Sequence, residues 1–406
     1  MKTLYITYDG LTDPLGRSQV LPYLCGLSGK GHDIIILSCD KPERYKTSSA
    51  AVNDIVNANH IQWISLPYTS DIPILSALYN IYRMKKTALK ICKHEDIHLV
   101  HCRSYMASFI GVLLKQKYGI KYIFDMRGFF ADERVDGKVW NRKNPVFNAV
   151  YKYFKKKEKL FLSEADYIIS LTHAGKSVLQ EQMHVAAPIM VIPCCADLQH
   201  FSISNVQEEK RTQLKNQLHI GNQDMVISYT GSLGTWYMLP EMMQFVSLLM
   251  QSKPNVKFLL ITPDSKEKVL QISAQYGIPD EKVIVVYSSR EMMPTYISLS
   301  QISLFFIQPV FSKKASSPTK MGELLSMGIP LIVNAGVGDV DVIISKSHCG
   351  HVVQTFNNAA YEQAISQIEY LLSIPKQRLY AAAETYFSLE KGVEKYNDVY
   401  SSLGKE

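Results

Sequence analysis

At 406 residues the chain is too long for one ordinary hydrophobic core and fits two domains. Its 47% hydrophobic and 20% charged content excludes a disordered or fibrous protein, and no run approaches the roughly 18 uninterrupted apolar residues of a membrane span. The net charge of +7 is uneven: residues 1–200 hold 26 Lys and Arg against 18 Asp and Glu, the remainder 18 against 19. Seven cysteines, an odd number with no C-x-x-C pair, argue against a disulfide framework or a zinc site. Met1-Lys2-Thr3 runs into a strand-like segment with no signal-peptide layout, so a cytoplasmic, reduced protein is expected.

Short apolar runs alternate with segments of helical period. In the first half, strands are expected at Leu4–Tyr8, Ile34–Ser38, Ile97–Cys102, Tyr122–Asp125, Tyr167–Leu171 and Met190–Ile192, with helices near 18–29, 74–93, 105–117, 145–163 and 174–182. The second half repeats the scheme at Val226–Thr230, Lys257–Ile261, Val283–Val286, Ile302–Ile307, Leu331–Val333 and His351–Val353, and is helical after about residue 357. Such alternation implies parallel sheets covered on both faces, and two series imply two Rossmann-like α/β domains. The polar, charged stretch Ser202–Lys215 places the boundary between Pro193 and Gln223.

In doubly wound sheets ligands sit beyond the carboxyl ends of the strands, so the residues after each strand carry the chemistry. After the first strand, Gly10 and Gly16 permit close backbone approach and Ser18 can cap the following helix, without a G-x-G-x-x-G pattern. The fourth strand ends in Asp125-Met126-Arg127-Gly128-Phe129-Phe130-Ala131-Asp132-Glu133-Arg134. That concentration of charge and aromatic surface can orient a polyhydroxylated or phosphorylated ligand, form an internal ion-pair network that orders the loop, or do both. Thr230-Gly231-Ser232-Leu233-Gly234-Thr235 opens the second half with a loop whose amides can meet phosphate. Trp236 and Tyr237 beside it can stack on a base or pack an interface.

Ser316-Ser317-Pro318-Thr319-Lys320-Met321-Gly322-Glu323, followed by a helix stop at Gly328 and Pro330 and the core strand Leu331-Ile332-Val333, is the most informative segment. Pro318 suits a first helical turn, and the serines before it can cap. A helix start carrying hydroxyls and a lysine favours an anion, and Glu323, one turn further in, can bond a pair of sugar hydroxyls. Phosphate beside ribose means a nucleotide.

The order Gly16-Arg17-Ser18-Gln19, Asp125-Met126-Arg127-Gly128, Thr230-Gly231-Ser232-Leu233 and Ser317-Pro318-Thr319-Lys320-Met321-Gly322-Glu323 resembles the retaining GT-B glycosyltransferases of family 4 over nearly the whole chain. The resemblance implies GT-B architecture, with two doubly wound domains facing across a cleft. Residues 1–197 would bind the acceptor, residues 198–385 a nucleotide sugar, and residues 386–406 would form a helix returning to the first domain. It implies sugar transfer from a UDP- or GDP-sugar to a saccharide or lipid-linked saccharide hydroxyl, with retained configuration and neither cofactor nor metal. Bacterial cell-surface polysaccharide synthesis is the implied setting.

By the same resemblance Asp125, Arg127, Lys320 and Glu323 are the expected catalytic residues. Gly16, Arg17, Gly231, Ser232, Ser316, Ser317, Thr319, Lys320 and Glu323 would bind the donor, and Arg127, Asp132 and Glu133 the acceptor. The chain departs from the family pattern at Ala315, in place of the first glutamate of E-x7-E. It departs again at Ser232 and Trp236, where many members carry an arginine and a lysine, and in lacking a histidine after the fourth strand.

Two other readings are weighed: a sugar-nucleotide epimerase on the same scaffold, which would require a set of acid and base groups, and a non-catalytic sugar-nucleotide-binding protein, which Ala315 would suit. Tyr151–Lys157 and Tyr82–Lys86 mix cations with aromatic or apolar residues. They are either solvated helix faces or contacts to an anionic membrane, which would put the protein on the inner face of the cytoplasmic membrane. No nucleic-acid-binding pattern accompanies the charge.

Overall fold

A computed structural model describes residues 1–404 and divides into two compact units, one formed by Met1–Cys194 with the chain from Leu389 onward, the other by Cys195–Ser388. The first contains a parallel sheet of β1 (Lys2–Thr7), β2 (Asp33–Asp40), β3 (Gln62–Pro67), β4 (Leu99–Arg103), β5 (Lys121–Asp125), β6 (Tyr167–Ser170) and β7 (Ile189–Val191), in the order 3-2-1-4-5-6-7. The second contains β8 (Met225–Thr230), β9 (Val256–Ile261), β10 (Val283–Val286), β11 (Ile302–Phe305), β12 (Leu331–Asn334) and β13 (Gly350–Val353), in the order 10-9-8-11-12-13. Both orders reverse direction next to their first strand, which makes the ends of β1 and β4, and of β8 and β11, the natural ligand positions.

The expected central strands form because both sheet faces are covered, so continuous runs such as Ile34-Ile35-Ile36-Leu37 and Phe258-Leu259-Leu260-Ile261 are buried without alternation. The helix Phe130–Asp136, read as loop, and two further elements escape sequence reading. β3 is an edge strand whose middle is only half-buried, and its register beside β2 brings Ser65 to the Asp40 carboxylate at 2.8 Å. The helix Pro42–Ala58 buries only Val52 and Val56 within it, too sparse an apolar stripe to show a period.

Asp40 ties the first glycine loop down. Its carboxylate accepts from the Thr12 amide and hydroxyl, each at 2.9 Å, and from Ser38 at 2.6 Å. Beyond that loop, the short helix Pro14–Gln19 lies so close that a Cβ at Gly16 would collide with the Gly10 carbonyl and stand 2.7 Å from Leu11 Cα.

The C-terminal helix Leu389–Leu403 belongs to the first unit and packs on the helix Leu21–Gly29. Tyr396 donates to Asp125 Oδ2 at 3.0 Å, Tyr400 shares a hydrogen bond with His101 Nδ1 at 2.8 Å, and Lys395 donates to the Val191 carbonyl at 3.2 Å. Among the described residues no helix is long and apolar enough to cross a membrane.

Gly16→Ala is expected to destabilise the first unit by roughly 1–3 kcal/mol, because the atoms it meets are backbone and cannot rotate away. Urea denaturation would measure this; an unchanged midpoint and slope would show that the loop yields freely.

Candidate active site

In the second unit the loop after β8 is held by its own polar groups. Tyr229 donates to the Ser232 carbonyl at 2.6 Å, and the Leu233 amide donates to Asp264 at 2.6 Å, an aspartate also fixed by the Thr262 hydroxyl at 2.7 Å. Opposite stands the helix Thr319–Ser326, preceded by the 3-10 segment Phe311–Ala315. Pro318 is its N-cap and not a first-turn residue, and among the described residues no side chain caps the helix. The first-turn amides therefore have no side-chain acceptor from the cap, a supply of donors suited to an anion.

Lys320 is 8% exposed, and its Nζ has no hydrogen-bond partner among the described residues. Aromatic faces surround it instead, with Nζ 3.7 Å from the Tyr237 ring centroid, 4.2 Å from that of Tyr229 and 5.5 Å from that of Phe305. It also lies 3.2 Å from where a Cβ would stand on Gly231, whose φ of +106° few other residues adopt. Burial pulls its pKa down to about 7, and Glu323 acts against that fall. The ring faces also favour the cation.

Glu323 is half-buried and receives no donor from the described residues. Burial raises its carboxyl above the usual range, while Arg290 and Lys320 pull the other way. Ser316, Ser317 and Thr319 are half-buried around the helix start, and Ser232 is exposed. These residues, with Gly231, form one locality.

Sequence reading passed over Lys313. Its Nζ stands 3.6 Å from the Trp236 ring centroid and the residue is 5% exposed, so Trp236 is covered by a lysine. A Lys-Lys pair in a polar loop reads as surface, and only the 3-10 turn carries the first lysine inward while Lys314 stays exposed. Ala315, at the first E-x7-E position, is buried.

The first unit presents a different picture. Asp125 is fully buried at the end of β5, where Tyr396 donates to it and His101 Nε2, Arg127 Nη1 and Arg103 Nη1 stand 3.5, 3.7 and 4.0 Å away. Burial pushes its carboxyl up, but Arg127, His101 and Arg103 outweigh that and hold it at about 2. Asp125, expected to be catalytic, is thus enclosed by protein groups and ties the C-terminal helix to the end of β5. Arg127 takes a φ of +59° and donates to Cys194 Sγ at 3.3 Å, leaving little side chain exposed.

Asp132, expected to bind acceptor, is occupied by Tyr151 and Lys155, both at 2.8 Å. Lys155 also pairs with buried Glu158, to which Tyr105 donates. The ion-pair reading of this segment therefore accounts for Asp125 and Asp132. Glu133 is half-buried, Gly16 is buried, and Arg17 is exposed on its short helix.

Residues 23–200 match the model of Glycosyltransferase Family 4. No curated protein matches the sequence. Among solved structures, sucrose-phosphate synthase from Thermosynechococcus elongatus is 16% identical with a TM-score of 0.74, covering all of this chain and 99% of that one. WaaG, a glycosyltransferase involved in lipopolysaccharide biosynthesis, is 15% identical with a TM-score of 0.65, covering 98% and 99%. Alr3699/HepE of Anabaena, solved with UDP-glucose, is 13% identical with a TM-score of 0.65, covering 99% and 100%.

The Lys320 site makes a stability prediction. Between its folded pKa near 7 and its ordinary 10.5, the unfolded chain binds a proton that the folded chain does not, so stability rises as pH climbs through that window. Lys320→Met should flatten this rise and stabilise the protein by roughly 1–3 kcal/mol at neutral pH. Thermal unfolding followed from about pH 6 to about pH 10 checks it; a variant that is less stable throughout would contradict the assignment. Residues 23–200 are thus similar to Glycosyltransferase Family 4, and the two doubly wound sheets share the GT-B fold of the solved glycosyltransferase structures.

Proposed function

We propose that the protein transfers a hexose from a UDP- or GDP-sugar to a hydroxyl of a saccharide or lipid-linked saccharide, with retention of anomeric configuration, in assembly of a bacterial surface polysaccharide. The observation that carries the reading is Lys320: an ammonium buried among ring faces with no acceptor, one turn from a half-buried carboxylate with no donor. A diphosphate supplies the missing acceptor and ribose hydroxyls the missing donors. That Alr3699/HepE has been solved with UDP and with UDP-glucose supports a nucleotide sugar as the ligand of this fold.

The departing diphosphate gains charge as the glycosidic bond breaks. In this reading Lys320 and the first-turn amides of Thr319–Ser326 hold that charge in place, pre-oriented and shielded from water. The leaving phosphate itself takes the acceptor's proton on the face it vacates, so retention needs no enzyme base and the mechanism assigns no cofactor or metal. Ser316, Ser317, Thr319, Gly231 and Ser232 bind the donor. Arg127, Asp132 and Glu133 are the acceptor candidates, and Asp125 positions Arg127 through its carboxylate. Trp236 has its own lysine neighbour, which favours a supporting role over base stacking. The protein acts in the cytoplasm, against the inner face of the membrane.

Incubation with UDP-, GDP- and dTDP-sugars and a panel of free and lipid-linked acceptors tests this, with the product anomer read by NMR. Lys320→Ala should lower transfer by roughly 10²-fold or more, and Glu323→Gln should weaken nucleotide affinity. Full activity in both variants would sink the site assignment, and an inverted product would sink the mechanism. Because the diphosphate restores the Lys320 proton, donor binding above about pH 7 should take up protons. Calorimetry in buffers of different ionisation heat measures this uptake, which should vanish in Lys320→Met.

A further inference from the structure

The helix Pro73–His94 buries one stripe, at Asn80, Met84, Ala88 and Ile91, against the first unit. On such a helix the opposite side is ordinarily polar. Here Ile74, Leu75, Leu78, Tyr79 and Tyr82, with Ile72 just before them, are each at least 52% exposed. In the second half of the helix the same outward side carries exposed Lys85, Lys86, Lys90 and Lys93. The helix contains no acidic residue in its 22 positions. At its far end Glu95 is taken by Lys2 at 2.7 Å. The outward side is thus apolar for three turns and purely cationic thereafter.

We infer that this side of helix Pro73–His94 inserts into the interface of an anionic lipid bilayer, its isoleucine, leucine and tyrosine end entering the acyl boundary and its lysines meeting the headgroups. A water-facing cluster of six large apolar side chains is unusual on a free protein surface and marks a contact. The charge selects the contact's nature, since a second copy of this chain would bring lysines against lysines, whereas an anionic membrane supplies both the apolar phase and the counter-charge. Tyrosine suits the level where the two meet. Tyr151–Lys157 suits such a contact less well, because Lys155 there is engaged by Asp132 and Glu158, and Lys157 lies over the Phe109 and Tyr153 rings. This surface deepens the lipid-linked acceptor reading above, and nucleotide affinity measured in parallel keeps the two separable.

The test is flotation of the full chain with phosphatidylcholine vesicles, with and without phosphatidylglycerol. Wild type should float only with the anionic vesicles. Lys85→Gln with Lys86→Gln should weaken partitioning roughly thirtyfold, and Leu75→Ser with Leu78→Ser roughly tenfold or more. UDP affinity should be unchanged in both. Leu78→Trp should add a blue-shifted emission component that brominated lipid quenches. Wild-type partitioning in either double variant, an unshifted and unquenched signal from the introduced indole, or lipid-free self-association abolished by the leucine variants would each overturn the inference. Intact vesicle binding with no sugar transfer on any acceptor would instead count against the proposed reaction alone.

Discussion

A lysine ammonium kept from water without an anion is the constraint on which the second unit's site depends. Carboxylate partners would hold Lys320 more firmly, but they would also compete with an incoming phosphate. Ring faces of Tyr229 and Tyr237 give partial compensation that a phosphate easily exceeds. The surrounding architecture follows from keeping that arrangement rigid: the β8 loop is tied to Asp264, and the helix start is tied through the Ser316 amide to the Lys313 carbonyl at 3.1 Å. Stability lost at one residue is the cost of leaving a site ready for its ligand.

Much of the fold was legible because buried parallel strands leave a strong signal. Ile34–Leu37 and Leu331–Val333 are apolar throughout, and turn residues punctuate them. The elements that went unread lie where burial is partial, as in β3 and the helix Pro42–Ala58. Similar reasoning applies to the site. Lys320 and Glu323 stood out because helix position fixes their neighbourhood locally. The enclosure of Asp125 was not legible because its partners Tyr396, His101 and Arg103 are distant in sequence, and a carboxylate after a strand looks alike whether it faces a ligand or a helix packed over it.

Charge taught a similar lesson. Tyr151–Lys157 and Tyr82–Lys86 look equivalent as strings of residues, yet one turns Lys155 inward to a buried acid while the other spreads exposed lysines beyond an exposed apolar end. Lys313 and Lys314 divide in the same way within a single turn. Where a cation ends up depends on helix phase and on which acids lie in the next layer, and neither is written in the local composition.

The helix Leu389–Leu403 gives the two units unequal independence. The residues Cys195–Ser388 are contiguous, so that unit has every strand and helix it needs once Ser388 has been made. The first unit stays unfinished until the ribosome has passed through all of the second. Until Tyr396 and Tyr400 arrive, the ends of β4 and β5 hold His101, Arg103, Asp125 and Arg127 without their lid, a charged gap where the finished protein has a seal. The unit begun first is therefore the one completed last, and a fragment cut before Leu389 would be a whole second unit joined to a first one left open.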